Sequence, residues 1–302
     1  MGDLSIGEAH VSAAPVSLES ASRPRVLVSV GMPVYNGARE IEAAIAAVLC
    51  QTIEDLELII SDNCSHDSTQ EICNRYAALD KRVKYFRQDT NIGAVKNFLF
   101  VLQEAKGHYF MWAAADDTRS KDYLELNSRF LEESPDYVAA TSPTRFSSGD
   151  FDPIEMGDDS LEGDLEDRYL KFFRNWHANG RFYSLFRIAA IRAAIEEDSY
   201  LASDWATVLG VLGQGKCKRI GDGFVLLGEH GESNSYALFS NARSHWIHWV
   251  LPFERFIRFL HQSTRNFSWA TRRRIGYRVF RLNCRAVRKQ LWHEWKLRSQ
   301  RH

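Results

Sequence analysis

The sequence is poor in cysteine, and its five cysteines, Cys50, Cys64, Cys73, Cys217 and Cys284, suit neither metal nor disulfide chemistry. The number is odd and no pair has metal-ligand spacing. That points to free thiols in a reducing cytosol rather than a disulfide framework. Long apolar runs are missing too. No stretch approaches the ~18 consecutive apolar residues of a membrane-spanning helix. Residues 1–24 are rich in Ala and Ser without an apolar core, so they match neither a signal peptide nor an anchor and read as a disordered segment. The glycine patterns of two common phosphate loops are absent. No GxGxxG follows the first predicted strand and no GxxxxGK[ST] occurs, which removes the Rossmann dinucleotide and P-loop readings. No GxSxG elbow is present, and there is no internal repeat.

Net charge is nearly absent, at −1 over 302 residues, but it is unevenly laid out. Residues 261–302 hold twelve Arg and Lys against one acid, Glu294. An acidic globule therefore carries a basic, aromatic tail. Such a tail suits an anionic surface, a lipid membrane before nucleic acid.

From Arg25 onward apolar runs alternate with helical periodicity. RVLVSVGMPVYN, LELIIS, VKYFRQ and HYFMWAA read as strands, and the intervening segments repeat apolar residues at helical spacing, as Ile41, Ala44, Ile45 and Val48 do. Strands alternating with ~10–15-residue helices predict βαβ units and a mostly parallel sheet, hence an α/β fold whose ligands bind at the strands' carboxyl ends. Tyr123–Glu133 is expected as a further helix and YVAATSPTRF as one further strand. An acidic surface loop is expected over residues 147–164, and LEDRYLKFFRNW as a helix. RFYSLFRIAAIRAAIEE is expected as a strand leading into a helix, SDWATVLGVLGQG as a helix, and CKRIGDGFVLLGEH as a strand pair. Long amphipathic helices should follow His245.

Polar clusters fall at these strand ends. Pro33, Val34, Tyr35 and Asn36 close the first strand. Pro33 marks the end of its ladder, and Tyr35 either stacks on a base or packs half-buried. Asp62 and Asn63 follow the second strand. A carboxylate there accepts from a base N–H or a ribose hydroxyl, or else serves turn chemistry. Asn91 and Gly93 open a helix whose backbone N–H groups can meet an anion or a carboxylate. Asp116 and Asp117 follow HYFMWAAA. Two carboxylates beside an apolar run need a partner. That partner is a divalent cation, Mg²⁺ or Mn²⁺, or the start of a helix capped by Asp117 and Thr118.

Together PVYNGAREIEAAIAAVLCQT, ELIISDNCSHDST, NIG and AADD resemble a family 2 glycosyltransferase with the GT-A nucleotide-sugar fold, in order and spacing, over roughly residues 26–125. The resemblance implies an inverting transferase, a UDP-, GDP- or dTDP-sugar donor and a divalent metal. Tyr35 and Asp62 would hold the base, Asp116 would lie near ribose and sugar, and Asp117 on the metal. Many relatives carry another acid two residues before Asp116; here it is Ala114. Further along, Arg181, Tyr183 and neighbouring residues resemble the strand that lines the acceptor or diphosphate. Asp204-Trp205 resembles the catalytic acid that opens a helix, with Ser203 where many relatives have Glu. His230 resembles the histidine that completes the metal site.

The domain reading that follows is a disordered segment over 1–24, a GT-A domain over 25–240 with a nucleotide-sugar half (25–125) and an acceptor half (126–240), and a basic helical extension over 241–302. Asp204 is the expected general base of a direct displacement. Arg187 and Arg181 could each meet diphosphate or acceptor, or equally be a solvated strand charge. The expected acceptor is a saccharide or lipid-linked saccharide. The expected location is cytoplasmic, with the tail touching an anionic membrane and no nucleic acid bound. Ala114 and Ser203 keep open a sugar-nucleotide-binding scaffold without turnover. A sugar-phosphate nucleotidyltransferase fits less well, because PVYNGARE stands where that class has a Gly-rich loop with Arg and Lys.

Overall fold

The structure is a computed structural model and describes residues 27–146, 158–174, 180–227 and 245–299. The N-terminal segment, most of the acidic loop and His230 lie outside the described residues. The first half runs β1 (Val28–Val34), α1 (Ile41–Leu49), β2 (Leu56–Asp62), α2 (Thr69–Leu79), β3 (Val83–Arg87), α3 (Ala94–Glu104) and β4 (Tyr109–Trp112). Each strand lies within one of the apolar runs read from the sequence, except that β2 continues one residue past LELIIS to Asp62. Then come β5 (Thr118–Arg119), α4 (Tyr123–Glu133), β6 (Tyr137–Thr141), β7 (Thr144–Phe146), α5 (Leu165–Phe172) and a 3-10 turn at Gly180–Tyr183. The second half continues with β8 (Leu185–Arg187), α6 (Ile188–Ala194), α7 (Ser203–Leu212), β9 (Lys216–Arg219) and β10 (Val225–Leu227). A second 3-10 turn at Trp246–Trp249 leads to α8 (Glu254–Ser263) and α9 (Trp269–Ser299).

Seven strands form one sheet in the order β3-β2-β1-β4-β8-β6-β9. β1 to β4 are mutually parallel; β8 runs antiparallel to both β4 and β6. The period-2 alternation of a strand divides its apolar residues between two cores. Val30, Met32, Leu58, Ile60 and Met111 pack against Ile41 and Ile45 of α1. Ile59, Phe110, Trp112 and Phe186 face the opposite way, onto Val101 of α3, Leu209 of α7 and Phe256 of α8. Each such fully buried side chain contributes about 1.5–3 kcal/mol. The sheet is thus covered on both faces, as parallel strands require.

Three sequence expectations are corrected. YVAATSPTRF is not one strand but two, β6 in the large sheet and β7 in a three-stranded sheet of order β5-β10-β7. The break falls at Ser142-Pro143, where proline lacks the N–H that a continuing ladder needs. Nor is CKRIGDGFVLLGEH a strand pair: β9 pairs β6, whereas β10 pairs β5 and β7. Gly223 turns the chain between them at φ +71, and a Cβ there would meet Ser120 Oγ at 2.9 Å. The segment opening RFYSLF also starts as the 3-10 turn rather than as strand.

Candidate active site

β1 has β2 on one side and β4 on the other, so the strand order reverses there. This switch point is where an open α/β sheet leaves a crevice at its carboxyl edge. Four of the sequence clusters stand on that edge.

Pairing of β1 with β4 ends at Gly31↔Trp112, so Pro33 lies where β1 has already lost that neighbour. Val34 is buried, and Tyr35 beyond it is 46% exposed with its ring 6.4 Å from that of His66. Asn36 adopts φ +52, a turn conformation that asparagine tolerates. Its N–H donates to Ser65 Oγ at 2.8 Å, and its Oδ1 accepts from His66 N at 2.9 Å. Gly37 N donates to Thr69 Oγ1 and Ala38 N to Asp67 Oδ2, which lace the loops after β1 and β2 together. Burial works against the Asp67 charge, but the bonds from Thr69 and Ala38 prevail and hold its pKa below the usual range.

Asp62, the last residue of β2, is 0% exposed. Its Oδ1 accepts from Ser65 N at 2.8 Å; its Oδ2 accepts from Tyr85 Oη at 2.9 Å and Arg87 Nη1 at 2.5 Å. Asn63 Nδ2 donates to Asn91 Oδ1 at 3.0 Å, and Asn63 Oδ1 accepts from Ile92 N at 2.8 Å. Asn91 Oδ1 also accepts from Gly93 N at 2.9 Å. Gly93, at the cap position of α3, has φ +84 and ψ 157, a region open to glycine alone. A Cβ there would meet nothing within 4 Å, so backbone conformation and not crowding demands the glycine.

Asp116 and Asp117 sit on the turn after β4, where Asp117 N donates to Ala114 O at 3.3 Å. They cap no helix: Thr118 enters β5, and α4 starts at Tyr123 with Asp122 at its cap. Asp117 is buried, with Arg119 Nη2 3.7 Å from its Oδ2. Arg119 is itself buried, donates to Trp112 O at 3.1 Å and lies over the Tyr123 ring.

Asp204 is the second residue of α7, with Ala202 at the cap position in left-handed conformation (φ +70). The carboxylate therefore stands in the first turn, where the helix dipole favours negative charge, and is not the cap itself. Tyr183 lies in the 3-10 turn Gly180–Tyr183, which packs against both β4 and α7. Burial, then the charges of Asp117, Asp116 and Asp204, push its pKa up.

Other expected residues fall elsewhere. Arg181 is buried and donates to the backbone oxygen of Asp159 at 2.9 Å and to its carboxylate at 3.2 Å, so the guanidinium is occupied inside the protein. Arg187 is a structural tie, donating to the carbonyls of Leu131 and Ser134 at the end of α4 and to Tyr137 O. Trp205 packs among Phe172, Phe253 and Phe256, joining α7 to α5 and α8. Tyr85, Arg87 and Arg119 had no place in the sequence reading. Tyr85 and Arg87 carry one signal: at i and i+2 of a strand they share a face, and β3 aligns Arg87 with Asp62.

Among the described residues no group of three or more His, Cys, Asp or Glu forms a metal cluster. Two adjacent carboxylates still fit Mg²⁺ or Mn²⁺, which bind through one or two carboxylates and complete their shell with water and substrate phosphate. Asp116 and Asp117 are the residues that would supply that donor set.

The glycosyl transferase family 2 model matches residues 29–194 of this chain, more than half its length. A glycosyltransferase of Bacillus subtilis named for teichuronic acid biosynthesis, TuaG, is 36% identical over 107 residues, covering 35% of this chain and 42% of that protein. Glycosyltransferase GlyG of Streptococcus pneumoniae is 30% identical over 113 residues, 37% of this chain and 38% of GlyG. The matches thus span less than half of these relatives' lengths. In three dimensions the chain is similar to S. aureus TarS 1-349 in complex with UDP-GlcNAc, with TM-score 0.55 and 17% identity over 83% of this chain and 79% of that one. A mannosyltransferase of Pyrobaculum calidifontis, in complex with GDP-Man and Mn²⁺, gives TM-score 0.51 and 15% identity over 91% and 81%. The mostly parallel sheet, the switch-point crevice and the family match have one reading: the chain has the GT-A fold and belongs to glycosyl transferase family 2.

Proposed function

We propose that the protein is an inverting glycosyltransferase. It moves a sugar from a nucleoside-diphosphate donor to a hydroxyl of a saccharide or lipid-linked saccharide in surface-polysaccharide synthesis. The observation that carries this reading is the placement of Asp116 and Asp117 on the turn after β4 and of Asp204 in the first turn of α7, with the 3-10 turn that holds Tyr183 packed against both β4 and α7. The first two carboxylates come from the donor half of the sheet and the third from the acceptor half. Donor complexes of two proteins with the same fold support the donor class.

In this reading Tyr35 stacks on the base, with Asp62, Asn63, Asn91 and Gly93 shaping the nucleoside pocket. Asp116 and Asp117 would hold Mn²⁺ or Mg²⁺, and the cation would supply positive charge for the departing diphosphate. Asp204 takes the proton of the acceptor hydroxyl. The hydroxyl oxygen bonds to the anomeric carbon from the face opposite the diphosphate. The carbon–oxygen bond to phosphate breaks with its electron pair on the leaving oxygen, and configuration inverts in one step. Work in the cytoplasm accords with five free cysteines.

The test is turnover of UDP-, GDP- and dTDP-sugars with and without Mn²⁺ or Mg²⁺, in wild type and Asp204→Asn. Loss of a general base lowers kcat about 10²–10⁴-fold while donor affinity stays within about twofold. Full activity in Asp204→Asn would refute the assigned base. A second reading, sugar-nucleotide binding without turnover, is favoured by Ala114 and by the Arg119 cation already beside Asp117. Donor binding with no hydrolysis or transfer under any of these conditions would establish it.

A further inference from the structure

α9 is 31 residues long, about 46 Å at the α-helical rise. One face packs on the protein body. Ile275, Val279 and Ala286 are buried at helical spacing and join the core beneath β4, α5 and α7. Arg278 donates to the carbonyls of Phe173 and Arg174, and Asn283 Nδ2 donates to Val250 O at 2.9 Å. This face fixes the helix's rotation.

The opposite face carries large side chains with nothing over them. Tyr277 is 61% exposed, Phe280 64%, Leu291 56% and Trp295 66%. Spacings of three, eleven and four residues place them on one stripe. Cations flank it: Arg281 lies over Tyr277 at 5.8 Å, Lys296 over Trp292 at 5.3 Å and Arg273 over Trp269 at 5.4 Å. An exposed aromatic stripe of this size calls for a covering surface. The charges decide which. A second copy of α9 would set arginine against arginine, because Glu294 is the one acid in residues 261–302. An anionic lipid surface accepts both features, rings at headgroup depth and cations on phosphate. Among the described residues no helix is long and apolar enough to cross a membrane, so the contact is along the surface.

We infer that α9 lies flat on an anionic bilayer through the stripe from Trp269 to Trp295, with Arg273, Arg281 and Arg288 on the headgroups. The body is then held by its other face, and α8, which packs Phe253 and Phe256 on Trp205 beside Asp204, hangs directly from the anchored segment. The purpose of the anchor rests on the proposed transfer to a lipid-linked acceptor; the binding itself does not require it.

The experiment is co-sedimentation of the full chain with phosphatidylcholine vesicles, pure or with about one third phosphatidylglycerol, the anionic source of surface potential. The variants are Phe280→Ser/Trp292→Ser/Trp295→Ser and Arg273→Gln/Arg281→Gln/Arg288→Gln, all at exposed positions. Binding is expected to the anionic vesicles only, weakened about tenfold or more by either variant. Equal binding to both vesicles, or retention by either variant, overturns the inference. So does light scattering that shows a dimer in wild type and a monomer in the aromatic variant, which would make a second copy the cover. Donor turnover measured on the same samples with a soluble acceptor reports on the transfer reading separately.

Discussion

Asp62→Asn probes the deepest-set group of the crevice. The carboxylate is wholly buried and receives three donors, Ser65 N on Oδ1 and Tyr85 Oη with Arg87 Nη1 on Oδ2. An asparagine in the same rotamer offers one acceptor oxygen and one donor nitrogen. If the oxygen faces Tyr85 and Arg87, the amide N–H points at Ser65 N–H; if it faces Ser65, the amide N–H points at the guanidinium. The first arrangement strands the Ser65 N–H and the second strands both donors to Oδ2, so at least one donor loses its partner, at a cost of about 2 kcal/mol or more. For a chain of this size that lowers the thermal midpoint by about 3 °C. Differential scanning fluorimetry or calorimetry reads this directly. If Asp62 also accepts from the donor's base, binding weakens by about 10–150-fold, the worth of a hydrogen bond to a charged group. Calorimetric titration well below the midpoint separates the two effects. A midpoint within about 1 °C of wild type would refute the satisfaction argument. A lowered midpoint with unchanged donor affinity would leave Asp62 as a structural tie and remove it from the nucleoside pocket.

Two further outcomes follow from the same geometry. Gly93→Ala forces a Cβ into φ +84, ψ 157 and should cost about 1–3 kcal/mol in urea denaturation with no steric clash to relieve; unchanged stability would mean that the α3 cap relaxes freely. Glu57 is buried, and although burial raises its pKa, hydrogen bonds from Lys84, Ser29 and the Lys106 N–H outweigh this and hold it below the ordinary 4.5. A depressed carboxylate stabilises the fold above its unfolded pKa and loses that contribution as pH falls through the folded value. Glu57→Gln should therefore lower the midpoint at pH 7 and converge on wild type below pH 4.5; parallel curves from pH 7 to 3 would refute the assignment.

The alternating strands and helices of the first half were legible because each strand is a short apolar run bounded by turn residues, and each helix shows its own period. The site clusters were legible for a related reason: in a parallel sheet every strand's carboxyl end falls on one edge, so residues after each run collect there without any knowledge of register. What stayed hidden depends on register or on long-range packing. Tyr85 and Arg87 reach Asp62 only because β3 pairs β2 with Arg87 opposite Asp62. Arg181 looked like a strand charge near the acceptor, but burial against Asp159, 22 residues upstream, turns it inward. The break of YVAATSPTRF into two sheets was signalled by Pro143, yet the partners of β7 and β10 come from segments far apart in the chain.

Ala114 shows how the two kinds of information combine. Sequence identified it as a missing acid near the aspartate pair and turned attention to His230 as a replacement ligand. His230 lies outside the described residues, which for their part add a cation: the buried Arg119 guanidinium is 3.7 Å from Asp117. Two carboxylates with one fixed positive neighbour carry less net negative charge than the pair alone, so their attraction for a free divalent ion is weaker. A diphosphate restores that charge and adds oxygen ligands. If Asp116 and Asp117 hold the proposed metal, the arrangement therefore suits a cation that arrives with the donor.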